Sequence, residues 1–387
     1  MNYKLPCLAL LLPLALLFSC HSTKPTVKIG INAELTGEIP AVGASCVNAA
    51  KLFVSEVNQA GGIDVGGTKI PLALVIGDNG SKADQSAAVS QRLISQEGVL
   101  VMIGPNASSC AVPSAEIAES LGCLMISPWS TNPGTTRNTS TGAFKNNVFR
   151  ACFTEATEAP ILATFALNNL HASKVAILYD ISSESPNSVA HQFQQSFTKG
   201  GGKTVAMETY TTGDRDFSAQ LTKIKATKPD VLFIPAYYND VPLIAEQARR
   251  LGIKASFLGY NAWSTPDIIT LDSAHHLDGS FFSNHFSTQS TLPAAQKFIT
   301  AYQEKYGQTP DDIAALTYDS MGLATTAITK AASLNRTAVR NAMASLEKYN
   351  GVTGDFNYLQ GSHDPFKSVV ILTIKNKAFD SLMMVNP

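Results

Sequence analysis

The chain has 387 residues, 45% of them hydrophobic and 15% charged, with Lys plus Arg at 29 against Asp plus Glu at 30 and a net charge of -1. That length exceeds one ordinary core and predicts two domains or one two-lobed unit, and the composition excludes a disordered or fibrous chain. With no basic excess to neutralise a phosphate backbone, nucleic acid is excluded as a partner.

The opening stretch MNYKLPCLALLLPLALLFSC places a lysine before an apolar run that is too short to span a bilayer and is broken by Pro13. This is the pattern of an export signal over 1–20. Its end, LFSC, resembles the lipobox of bacterial lipoproteins, which implies lipidation at Cys20 and a membrane anchor through it. A plain secretory signal is the alternative. No later run reaches spanning length, so the rest is expected to be soluble and outside the cytoplasm.

Past HSTKPT the chain alternates between strand and helix. Apolar runs at 27–33, 70–77, 99–103 and 124–126 read as strands. Helical spacing over 46–58 and 84–96, and a helix through Leu121 with Pro113 in its first turn, fill the intervals. The alternation restarts after Arg150: a helix over 159–170, the strand KVAILYD, a helix over 189–199 and the strand KTVAMETY. Then come the helix and strand of DFSAQLTKIKATKPDVLFIPAYY and those of AEQARRLGIKASFLGY. Continuous apolar strands between helices predict two parallel sheets covered on both faces, an α/β fold of two Rossmann-like units. A helical region over 292–346 and a strand-rich tail carrying SVVILTIKN are expected to return to those units.

In open parallel sheets a ligand sits beyond the carboxyl ends of the strands, where helix N-termini offer unpaired amides. Ser108 and Ser109 follow one strand, and Ser130 and Thr131 follow the next. Together they suit a carboxylate, although caps and turns are the commoner use of Ser and Thr. In the second half, Tyr237, Tyr238 and Asn239 end one strand, and Tyr260, Asn261 and Trp263 follow the next; aromatics there close over an apolar group or form core rim. Glu155 and Glu184 are the acids placed to meet an ammonium group, against the plain reading of solvated loop residues.

Enzymatic signatures are scarce. GGTK at Gly66 lacks phosphate-loop spacing, and neither G-x-S-x-G nor G-x-G-x-x-G after a strand occurs. His275, His276 and His285 have no acids or cysteines at ligand spacing, so neither metal nor catalysis is expected of them. Without the export signal, Cys46, Cys110, Cys123 and Cys152 remain; a Cys46–Cys110 bridge is the favoured pairing and buried free thiols are the alternative. No cofactor is expected.

Six segments carry a family resemblance: VKIGINAELTGEIPAVG, VNQAGGI, VMIGPNASSCAVPSAEIAESLGCLMISPWSTNP, DFSAQLTKIKATKPDVLFI, EQARRLGIKASFLG and TYDSM. In this order they resemble the solute-binding proteins of ABC importers of the leucine/isoleucine/valine-binding type, with the type I periplasmic-binding fold. The resemblance implies two lobes joined by three crossings, lobe 1 over 26–149 and 282–352 and lobe 2 over 150–281 and 353–387. Closure on a ligand in the cleft would then be read by a membrane permease. Carried over by position, Ser108 and Thr131 would hold an amino acid's carboxylate and amino groups. Asn106, Ala107, Trp129 and Ser130 would line the same edge, and Tyr237 would face it from lobe 2. Val42 falls where the family often has an aromatic wall residue, and Trp129 where it commonly has a small one. Asn261 stands where an acid usually pairs with the ligand ammonium, and an expected tyrosine is replaced by Glu184 or Ser185. Either Glu184 or Glu155 supplies the missing charge, or the ligand is an aromatic or aliphatic carboxylate. A sensory receptor domain and a secreted hydrolase are the readings from other classes. The chain's end at Pro387 without a signalling domain weighs against the first, and the lack of an activated nucleophile against the second.

Overall fold

The computed structural model describes residues 25–359 and 361–386 together with Met1. The export signal and Cys20 lie outside the described residues.

The first half runs β1 (Val27–Ala33), α1 (Pro40–Gln59), the small hairpin β2 (Ile63–Val65) and β3 (Thr68–Ile70), β4 (Leu72–Asp78) and α2 (Ala83–Ser95). It continues with β5 (Val101–Ile103), α3 (Ser108–Ser120), β6 (Leu124–Ser127) and β7 (Val148–Arg150). The strands form one five-stranded sheet in the order β4-β1-β5-β6-β7, every pair parallel. β5 and β6 are buried at every residue, which is why they read as unbroken apolar runs rather than as alternation.

The second half runs α4 (Glu155–Asn168), β8 (Lys174–Asp180), α5 (Glu184–Lys199), β9 (Lys203–Tyr210) and α6 (Ser218–Thr227). β10 (Val231–Phe233), α7 (Val241–Arg250), β11 (Ser256–Gly259), α8 (Asp267–Leu271) and β12 (Phe281–Asn284) complete it. Next, α9 (Pro293–Tyr306), α10 (Asp312–Ala331) and α11 (Arg336–Ala344) return to the first lobe, where α1 packs on α9 and α10. The hairpin β13 (Lys348–Gly351) and β14 (Gly354–Asn357) leads to β15 (Val369–Lys375) and β16 (Ala378–Val385). These last strands close the second sheet, ordered β16-β15-β12-β11-β10-β8-β9, and pair antiparallel with it. The lobe boundary expected at 281/282 falls inside β12, which pairs with β11 and β15; the chain leaves this sheet after Asn284.

Two local expectations differ. α3 starts at Ser108, so Pro113 lies inside the helix rather than in its first turn. All four remaining cysteines are buried free thiols, and the Cys46–Cys110 bridge does not form. Burial pushes the Cys46 and Cys152 thiols up to about 12, so they behave as small apolar fillers. The tail strand β16 alternates between exposed and half-buried residues because it is a sheet edge.

Close packing fixes the strand ends. Gly259, the last residue of β11, lies against the Trp263 ring, and a Cβ there would stand 2.2 Å from it. Trp263 is fully buried and donates from Nε1 to Ile234 O at 3.1 Å, so it has no room to retreat. Gly259→Ala is therefore expected to cost about 1–3 kcal/mol, read as a lowered midpoint in urea unfolding with an unchanged m-value.

Candidate functional site

The carboxyl ends of both sheets meet at a narrow gap that their own side chains nearly fill, leaving a free volume of about 10 Å³. From the first lobe, Asn106, Ala107 and Ser108 line it at the β5-to-α3 turn, and Trp129 and Thr131 line it beyond β6. From the second come Ser185, Tyr237, Tyr260, Asn261 and Ala262. None of these described lining residues is Asp, Glu, Lys, Arg or His.

The β5-to-α3 turn is tightly specified. Gly104 has φ of +85°, and a Cβ there would lie 2.2 Å from Asn32 O, so only glycine lets β5 leave the sheet beside β1. Glu34, at the tip of β1, then collects the turn: Asn106 N, Ala107 N and Asn106 Nδ2 donate to its carboxylate at 3.0, 3.1 and 2.9 Å. Those bonds oppose the burial that raises the Glu34 pKa. α3 begins immediately after with Ala107 as its cap and no side chain closing its first-turn amides. Ser108 is thus not a helix cap. Its hydroxyl accepts from Ser130 Oγ at 2.9 Å, and Ser130 also contacts Thr135 Oγ1 at 2.7 Å, so Ser130 supports Ser108 from behind rather than lining the gap.

Across the gap, α5 begins at Glu184 and presents Ser185 from its first turn. Two helix N-termini, one from each lobe, therefore converge on the same space, and their partial charges favour an anion there. Ser185 Oγ lies 3.5 Å from Thr131 Oγ1, and Asn132 Nδ2 donates to Glu184 Oε1 at 3.2 Å. Trp129 and Tyr237 face each other at 6.3 Å between ring centroids and form the aromatic wall.

Asn261 opens a short 3₁₀ turn after β11. Its backbone N donates to Glu158 Oε1 at 2.9 Å. With the amide oriented to satisfy its neighbours, Nδ2 donates to both Glu158 oxygens at 3.1 and 3.2 Å, while Oδ1 accepts from Trp129 Nε1 and His285 Nε2 at 3.3 Å each. Trp129 Nε1 also donates to Asp312 Oδ2 at 3.1 Å. Glu158 and Asp312 are fully buried; burial pushes Glu158 up to about 7 and Asp312 well above the usual carboxylate range. Burial holds the His285 imidazole well below its ordinary value, so it is neutral. Glu34, Glu158 and Asp312 escaped the sequence reading because each acts one layer behind the wall, and His285, weighed there only for metal or catalysis, stands in the same layer.

The remaining expected positions lie elsewhere. Trp263, two residues past Asn261 in the same tight turn, points into the core against Phe282. Val42 is buried inside α1 and does not reach the gap. Glu184 is exposed at the start of α5, and Ser185 takes the gap-facing place. Glu155 holds the edge through its backbone, donating from N to Thr131 O at 3.1 Å, but its carboxylate turns to α5 and accepts from Ser188 Oγ and from Gln192 Nε2, the latter at 2.9 Å.

Burial pushes the Glu155 carboxyl up to about 7, so folding holds its proton between about pH 4.5 and 7. A raised pKa contributes stability that is complete at low pH and lost as pH rises through 7. Glu155→Gln should therefore gain stability relative to the native chain between pH 5 and pH 8, on the order of 3 kcal/mol, with thermal unfolding at the two pH values as the measurement.

Comparison with known proteins places this geometry in a family. A Leu/Ile/Val-binding protein of Rhizobium johnstonii is 31% identical over 260 residues, 67% of each chain. The crystal structure of a leucine-binding protein of Thermotoga maritima superposes with a TM-score of 0.86 at 30% identity, over 94% of this chain and 99% of that one. A branched-chain amino acid transporter substrate-binding protein of Streptococcus pneumoniae, solved with isoleucine, also gives 0.86 at 30% identity, over 94% and 100%. The model of the periplasmic binding protein family matches residues 26–378, and the chain belongs to that family.

Proposed function

We propose that this chain is the extracytoplasmic substrate-binding component of an ABC importer, anchored through Cys20, and that it binds a small hydrophobic amino acid by closing its lobes on the gap. No chemistry is done on the ligand. The relatives' branched-chain ligands support the class, and the polar layout of the gap supports the details. Free first-turn amides of α3, with Ser108 and Thr131, suit a carboxylate. The observation that carries the amino group is Asn106 Oδ1, a fully buried acceptor on the wall with no partner among the described residues. A ligand N–H satisfies it; an unpaired buried acceptor otherwise costs about 1–3 kcal/mol. Trp129, Tyr237 and Tyr260 then surround an apolar side chain. On this reading, closure is favoured because the ligand touches both lobes at once, and a membrane permease recognises the closed form.

A carboxylate without an amino group is the second reading, favoured by the lack of any acidic side chain of Asp or Glu on the described wall. It leaves Asn106 Oδ1 without a donor. The two separate in one competition experiment: isoleucine should displace its 2-oxo analogue, and the reverse should need a large excess.

Isoleucine at roughly 100 times its dissociation constant should stabilise the protein by about 2.7 kcal/mol, read by differential scanning calorimetry. Ser108→Ala combined with Thr131→Ala should abolish that gain. Persistence of the gain in the double variant overturns the assignment of these hydroxyls.

A further inference from the structure

The wall of the gap offers hydrogen bonds to both ends of an amino acid but no negative charge to its ammonium. A buried ammonium without an anion nearby is costly. A carboxylate stands directly behind the wall, at Glu158.

Resting on the amino-acid reading, we propose that Glu158 supplies the negative charge that selects an ammonium-bearing ligand, acting from behind Asn261 as a positioning residue that never touches the ligand. Asn261 is on the wall, and its backbone N and side-chain Nδ2 both donate to Glu158, while Ser283 Oγ donates to Oε1 at 2.6 Å. Every one of these is a donor and favours the ionised carboxylate, against the burial that raises its pKa. Yet among the described residues no Lys or Arg pairs with it. The groups that face it are neutral or acidic: Glu155 one turn earlier on α4, Tyr260 beside Asn261, the neutral His285 beyond Asn261 Oδ1, and Asp312 across Trp129. Burial outweighs the three donors and, with no cation beside it, pushes the carboxyl up to about 7. A cation arriving on the far side of one amide, on the order of 5–6 Å away, is within the range that stabilises a carboxylate. The ligand ammonium is that cation. Asn261 holds the carboxylate in place behind the wall, its Nδ2 donating to Glu158 while its Oδ1 accepts from Trp129 Nε1 and His285 Nε2, and the charge acts on the ligand through space.

Linkage fixes the sign. Where the ligand favours the ionised form, affinity rises with pH through about 7 and binding releases a proton. A 2-oxo acid of the same shape carries no ammonium and should show neither effect.

The test is calorimetric titration of the full chain with isoleucine and with 3-methyl-2-oxopentanoate between pH 5.5 and 8.5, in buffers of different ionisation enthalpy. The native chain should bind isoleucine roughly tenfold or more tightly at the high end, with proton release at pH 7, and bind the oxo acid with little pH dependence. Glu158→Gln should remove both the pH dependence and the proton release and reduce the preference for isoleucine over the oxo acid by roughly tenfold. Should Glu158→Gln fold poorly, adding Asn261→Asp moves the charge onto the wall and should restore isoleucine preference with its pH dependence displaced to lower pH. An isoleucine preference and proton release unchanged in Glu158→Gln overturn the role of Glu158 and leave the amino-acid reading standing. A native chain that prefers the oxo acid overturns that reading, and this inference with it.

Discussion

A buried guanidinium shapes the edge on which everything else rests. Arg150, the last residue of β7, has no exposed surface. Its Nη1 donates to Ser130 O at 2.5 Å, and Nη2 donates to Asn132 O at 2.8 Å and Thr136 Oγ1 at 2.9 Å. Its Nε pairs with Asp364 Oδ1 at 2.7 Å. The two carbonyls bracket Thr131, so the peptide that presents Thr131 to the gap is gripped on either side. Asp364 lies on the segment that returns the chain to β15, and Tyr358 Oη of the same segment donates to Arg150 O at 2.7 Å. The first crossing between lobes and the last one are thereby fastened to the binding edge itself. Removing one partner of such a pair leaves a buried charge uncompensated, a loss of about 3–5 kcal/mol. Lysine would not substitute, because one ammonium cannot reach four acceptors in fork geometry.

The charges of this site are held back from its surface. Glu34 fixes Asn106 and Ala107, Glu158 fixes Asn261, and Asp312 fixes Trp129. Each carboxylate is fully buried, and each has its pKa raised by burial. A neutral wall costs less to desolvate when the gap shuts than an ionised one would, and the second layer still sets the orientation of every amide that meets the ligand. The arrangement exchanges direct ion pairing for preorganisation: the donors and acceptors are aimed before any ligand arrives.

Much of the scaffold was legible in the sequence, because parallel strands covered on both faces leave apolar runs between helical segments. KVAILYD and KTVAMETY coincide with β8 and β9 to the residue. The placing of Ser108, Thr131, Tyr237 and Asn261 in one gap was legible too, since strand ends of open sheets are where ligand groups gather, while Asn106, Ala107 and Trp129 were expected there only from the family resemblance. What was not legible depends on direction rather than identity. Ser185 and Glu184 are neighbours at the start of α5, and only the helix start decides which one faces inward. Trp263 turns to the core because glycine at 259 gives its ring a floor. The pairing of Glu158 with Asn261, or of Trp129 with Asp312, joins residues more than a hundred positions apart, which no local pattern records.

Polar and aromatic contacts join the lobes around the gap, where the buried apolar cluster also runs from one lobe to the other. Thr131 and Ser185 meet at 3.5 Å, Asn132 reaches an exposed Glu184 at 3.2 Å, and Trp129 approaches Tyr237 and Asn261. Of these residues only Glu184 is exposed; Thr131, Ser185, Asn132, Trp129, Tyr237 and Asn261 are buried. On the proposed function, closure reports ligand only where the open and closed states are nearly balanced without it. If the empty lobes bound each other strongly, a ligand would add little to a state already populated; if they repelled, its binding energy would be consumed in bringing them together. The neutral wall serves the same end, since two facing surfaces without fixed charge neither attract nor repel at long range. On the same reading a zwitterionic ligand would bring the full charges to the gap, and its contacts to both helix N-termini would tip the equilibrium.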